Sequence, residues 1–227
     1  MLLLSACSKK EIPADESILG LDYYPLNKGR FVVYEVDSII YTELPKDTIT
    51  YKYQIKEKIG ETFTANDGKT AYRYERYIKK FDPNKSYDQQ TWQVKEVWML
   101  NADDKKIEMQ ESNRRFTKLI FPVEEKKAWD GNAGNGLGEQ TYYYDYIDIA
   151  ESMKQLSFKN SLKVIQLDQT TLISDDRCHE KYAKDVGLIY REIIHVLSNN
   201  VIPGKAVVDR IESGLIYKQT IVSYGFE

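Results

Sequence analysis

Two cysteines and two histidines are the whole supply of thiols and imidazoles in 227 residues, and three of the four fall in the last third of the chain: Cys178, His179 and His195. Cys178-His179-Glu180 contains the residue types of a nucleophile, its base and an orienting carboxylate, which do chemistry only within hydrogen-bond reach of one another. Neighbours on a strand point to opposite faces, so Cys178 and His179 do not pair there. His195 is the other base that could approach the thiol, but no spacing requires it. The expectation is a buried cysteine beside a surface histidine. With so few soft ligands, zinc is poorly supplied.

Oxygen ligands are more plentiful. The loop from Asp130 to Glu139 carries Gly131, Gly134, Gly136 and Gly138, and its Asp130, Asn132, Asn135 and Glu139 form a candidate calcium set. Their spacing departs from that of an EF-hand, and a mobile surface loop is the competing reading. A phosphate cradle is excluded, because Glu139 and Gln140 stand where a Lys-Ser/Thr pair would follow the glycines. Asp103-Asp104 and Asp175-Asp176 are acidic pairs. Carboxylates held at the right separation hydrolyse glycosides, but both pairs read here as turn formers. Trp92 and Trp98 alternate onto one strand face and are the candidate lining of a carbohydrate or lipid groove, with a place in the core as the alternative. None of these sets amounts to a catalytic centre, so an enzyme is not expected and no cofactor is implied.

The elements that must position these residues are strands. Eighteen tyrosines against seven phenylalanines and three tryptophans suit broad, half-wet sheet faces. A net charge of -3 with 30% charged and 42% hydrophobic residues argues against a nucleic-acid partner. Alternating stretches at 31–41, 48–59, 70–81, 91–100, 105–111, 115–121, 141–147, 161–169, 186–197 and 214–224 predict an antiparallel meander. Asp148–Leu156 reads as a short helix and Asp175–Asp185 as a helical or irregular connection. Tyr24-Pro25-Leu26 ahead of Phe31 is echoed by Phe121-Pro122-Val123 ahead of Trp129, which suggests two related halves meeting near 115–120. The fold class expected is mainly β: a single domain over 21–227 whose long antiparallel strands form a curved, half-barrel or barrel-like sheet.

The beginning of the chain carries a resemblance. Leu4-Ser5-Ala6-Cys7 resembles the lipobox of bacterial lipoproteins, in which the cysteine is lipidated and becomes the mature N-terminus. Residues 1–7 then read as the remnant of a signal segment and 8–20 as a flexible linker. Only Met1–Leu4 precede the small pair and no Lys or Arg precedes Cys7, so the natural start is expected further upstream. The run Ser8-Lys9-Lys10-Glu11 is similar to the charged stretch after the lipidated cysteine in Bacteroidetes-type lipoproteins. Tyr182-Ala183-Lys184-Asp185-Val186-Gly187-Leu188, with the two proline phrases, is similar to phrases of uncharacterised envelope lipoproteins of that kind. The resemblance implies a β-rich protein held by a lipid on Cys7 in the bacterial cell envelope, at the outer membrane, facing the periplasm or the surface. It implies no catalytic residues. A non-enzymatic binding or assembly domain is the leading expectation, with an envelope protein, a glycan or an apolar ligand as partner. A carrier of an apolar ligand would require a continuous apolar cavity, and an envelope hydrolase would require converging titratable groups.

Overall fold

A computed structural model describes residues 18–227. The Leu4–Cys7 block and the linker up to residue 17 lie outside the described residues. Twelve strands follow one another along the chain: β1 (Arg30–Thr42), β2 (Asp47–Thr64), β3 (Thr70–Lys80), β4 (Gln93–Ala102), β5 (Lys106–Glu111), β6 (Arg114–Ile120), β7 (Ala128–Asp130), β8 (Thr141–Met153), β9 (Leu156–Thr170), β10 (Ser174–Ala183), β11 (Gly187–Leu197) and β12 (Ser213–Phe226). They form one antiparallel sheet in the order β6-β5-β4-β3-β2-β1-β12-β11-β10-β9-β8-β7. The sheet curls into a nearly closed barrel, which agrees with the fold class expected from the strand pattern. Among the described residues no helix is long and apolar enough to cross a membrane.

The alternation of side chains explains the curl. Tyr34, Val36 and Ser38 of β1 stand opposite Ile55, Tyr53 and Tyr51 of β2 on one side, and opposite Ile221, Gln219 and Tyr217 of β12 on the other. These rows face inward. One end of the barrel is filled by a core that includes Tyr23, Tyr24, Leu100, Leu119, Phe121, Tyr144, Leu162 and Tyr182. A single 3-10 turn, Leu21–Tyr23, plugs this end. The Asp185 amide donates to the Asp22 carbonyl and the Val123 amide to the Leu19 carbonyl, while the Tyr23 hydroxyl donates to the Asp148 carboxylate. Both proline phrases therefore pack at the same end, although the Phe121-Pro122 peptide is cis and the Tyr24-Pro25 peptide is not.

The edge strands β6 and β7 face each other across a seam joined by individual bonds instead of a ladder. The Thr117 amide donates to the Gly131 carbonyl at 2.9 Å, and the Trp129 indole donates to the Thr117 carbonyl at 2.9 Å. The fully buried Tyr144 donates its hydroxyl to the Ile120 carbonyl at 2.6 Å and accepts the Ile120 amide at 3.0 Å. Tyr144→Phe leaves both backbone groups without a partner, and each orphaned buried group costs about 1–3 kcal/mol. Urea unfolding is expected to show a loss within or above that range. An unchanged midpoint would mean that the hydroxyl does not hold the seam.

Two local expectations are corrected. Asp148–Leu156 is no helix: β8 runs through to Met153, and its register with β9 shifts three times between Tyr144 and Glu151. Those irregularities, with Asp148 at φ 58, scatter the alternation that marks a strand. Asp175–Asp185 is mostly strand β10. Its inward side chains, Asp176, Cys178, Glu180 and Tyr182, are held by polar partners, so hydrophobic periodicity is absent from a strand that is nonetheless well paired.

Candidate functional site

The barrel interior changes character along its axis. Beyond the apolar plug lies a belt of buried charge. Glu180, 1% exposed, accepts Lys118 Nζ and Arg191 Nε, both at 2.7 Å, and the Tyr182 hydroxyl. Burial alone would push its carboxyl pKa up, but the two cations outweigh burial and hold it down to about 2. Glu57 accepts Arg76 Nε at 2.9 Å and the Tyr74 hydroxyl at 2.7 Å, and Arg76 reaches Glu96 as well. The belt ties β2, β3 and β4 together and links β6 to β10 and β11. A hollow inside the barrel, between Tyr24, Tyr34, Glu57 and Tyr74, measures about 30 Å³, room for roughly one water.

The outer face carries a larger concavity. Arg73 of β3 stands opposite Met99 of β4, Met99 opposite Gln110 of β5, and Gln110 opposite Arg115 of β6. This cross-strand row alternates with the inward Tyr74, Leu100 and Met109, so it points away from the core. It floors a half-open groove of about 660 Å³ bounded by Phe63 and Asn66 from the β2–β3 hairpin and by Ser112 and Asn113 from the β5–β6 turn. Ser112 and Asn113 both have left-handed backbone, at φ 46 and 65, as a two-residue hairpin turn requires. The groove mixes amides, the guanidinium groups of Arg73 and Arg115, the carboxylates of Asp67 and Glu96, and exposed apolar side chains, Phe63 at 41% and Val97 at 46%.

The residues singled out from the sequence distribute unevenly. Trp98 borders this groove, but it stands opposite Tyr74 in the inward row, and its ring is engaged by Tyr74, with centroids 6.2 Å apart, and by the Arg76 guanidinium at 3.8 Å. Trp92 precedes β4 and lies beside Lys56 and Lys79, so the two tryptophans do not share a groove. The register shift between Arg76 and Tyr77 breaks the alternation that would have aligned them.

The side chains of the candidate calcium set bond within and beside their own loop, Asn135 Nδ2 donating to Asn132 Oδ1 at 3.2 Å. Asp130 accepts the amides of Asn132 and Gln140, Asn132 donates to the Gly138 carbonyl, and Asn135 donates to the Arg115 carbonyl and accepts the Leu137 amide. Glu139 is exposed. These side chains fold the glycine-rich loop onto the seam. Among the described residues no three His, Cys, Asp or Glu side chains are placed to hold a metal ion.

Asp103 is a turn former, accepting the amides of Lys105 and Lys106. Asp175 and Asp176 are on β10: Asp175 is buried against Arg177, and Asp176 faces the other way. The structure brings together what sequence spacing could not. Asp176 stands directly opposite His195 across β10 and β11, with Asp176 Oδ1 3.0 Å from His195 Nδ1. His195 Nε2 lies 3.4 Å from Cys178 Sγ. His179 lies apart from this group, near Glu192 at 3.7 Å. Burial, then Glu180 and Asp176, push the Cys178 thiol up to about 11.

No family model, curated protein or solved structure matches the chain.

Proposed function

We propose that the chain is a lipid-anchored protein of the bacterial envelope whose barrel is a binding module for a chain-like polar ligand, a glycan carrying carboxylate sugars. The observation that carries this reading is the outer groove, whose volume lies in the range of small-ligand sites. Gln110, Asn113, Asn66 and Ser112 offer donors and acceptors for hydroxyls, Arg115 and Arg73, the latter shared with Glu75 at 3.4 Å, offer planar cations for carboxylates beside the acidic Asp67 and Glu96, and Phe63 with Val97 offers apolar area to sugar C–H faces. A peptide strand added at a sheet edge is disfavoured, because β6 and β7 face each other across the seam. A buried acyl chain is disfavoured by the tyrosines and ion pairs that fill the interior. The anchor rests on the likeness of Leu4–Cys7 to a lipobox.

Calorimetric titration with soluble uronic-acid oligomers, and with neutral oligomers of the same length, tests the groove. Arg73→Ala and Asn113→Gly, the latter chosen because glycine keeps the left-handed turn, are each expected to weaken binding about tenfold, or about 1.4 kcal/mol. Equal affinity in both variants would move the ligand elsewhere. Labelling with a clickable fatty acid, lost in Cys7→Ala, tests the anchor separately.

A further inference from the structure

We propose that Cys178 is a nucleophilic thiol, with His195 as its general base and Asp176 as the positioning residue, and that it accepts an acyl group from an activated ester or thioester. This site faces inward on β10 and β11, away from the groove on the outer face of β3–β6, so the two readings stand or fall independently.

The imidazole is held from both sides. With Nδ1–H donated to Asp176 Oδ1, Nε2 is left as an acceptor, and the Cys178 thiol is the group at 3.4 Å from it. A nucleophile, a base within reach, and a third group orienting the base are the parts that activation of a thiol needs. Thiol and carboxylate sit on opposite nitrogens of the ring, which makes the set a relay and not a shared metal cage. Access follows from the gradient along the inward row. Glu180 is buried, Cys178 two residues on is half-buried, and the next pair, Asp176 and His195, has side chains 33% and 46% exposed. The charged and titratable groups around the thiol are Asp176 and Glu180 on its own strand, His195 and Arg191 on β11, Lys118 from β6 and Tyr142 from β8; its partner on β9 is Leu167. Because the free thiolate forms only near pH 11, reaction at neutral pH has to pass its proton to His195.

The step balances. Cys178 Sγ attacks the acyl carbonyl carbon while its proton moves to His195 Nε2. The tetrahedral species collapses, the bond to the leaving oxygen or sulfur breaks, and His195 returns the proton to that leaving group. The product is a thioester on Cys178 and a free alcohol or thiol.

The test uses p-nitrophenyl acetate on the full chain near neutral pH, with nitrophenolate release followed optically and peptide mapping to separate Cys178 from Cys7. The expected result is one acetyl group on Cys178. His195→Ala should slow its addition on the order of 10²-fold, a deficit that shrinks as the pH approaches 11. Asp176→Asn should fall between the two. Unfolding midpoints of each variant separate lost chemistry from lost fold, and Cys178→Ser confirms the acceptor. Acetylation of Cys178 no faster than in the urea-unfolded chain, or a His195→Ala rate equal to the parent in a folded protein, would overturn the proposal.

Discussion

Glu180→Ala is expected to lower the stability of the barrel by about 3–5 kcal/mol, the cost of leaving buried charges without their counter-ion. Lys118 and Arg191 both point at this carboxylate from different strands, and both are largely buried. Glu111 accompanies them at 3.5 and 3.8 Å, too far to replace a bond of 2.7 Å. The Tyr182 hydroxyl loses its acceptor as well. Urea unfolding followed by far-ultraviolet circular dichroism measures the loss, and a change below about 1 kcal/mol, the worth of an exposed pair, would show that the belt is hydrated. The same group sets an acid limit. Its folded pKa, about 2, lies below its unfolded value near 4.3. The stability it contributes is therefore fully present above the unfolded value and is lost as the pH falls from there through about 2.

Gly214→Ala is the second large effect, at about 3–5 kcal/mol from backbone strain together with overpacking. Gly214 is the second residue of β12, opposite Val196 of β11 and Tyr41 of β1. Its φ of 127 is a conformation that L side chains rarely adopt, and an added Cβ would lie 2.1 Å from the His195 carbonyl oxygen and 2.7 Å from the Val196 Cα. Both are backbone atoms of a paired strand, so relief means separating β11 from β12 at the end where His195 sits. The variant should lose stability and acylation of Cys178 together. A variant as stable as the parent would mean that this strand end is loosely held.

The strands that alternate, such as 48–59 with Ile55 inward and Lys58 outward, were legible because one face is apolar. Strand β10 was not, because Glu180 is buried by two cations that come from β6 and β11, and nothing within residues 174–183 announces them. Strand β7, three residues long, is too short for any period to register. The groove follows the same logic. Arg73, Met99, Gln110 and Arg115 are unremarkable in sequence and become neighbours only through three successive strand registers. Trp92 and Trp98 are even-spaced in sequence, and the register shift that separates their faces has no sequence signal. Asp176 and His195 are 19 residues apart, and their meeting depends on a hairpin whose polar first strand gives no β signal.

The binding groove is tested most directly by backbone amide chemical shifts of the isotopically labelled protein during titration with a uronic-acid oligomer. Shifts clustered at Arg73, Val97, Gln110 and Asn113, with the interior amides of Tyr34, Tyr182 and Gln219 unmoved, are the predicted result. Shifts confined to those interior positions, or none at any site up to millimolar oligomer, would contradict it.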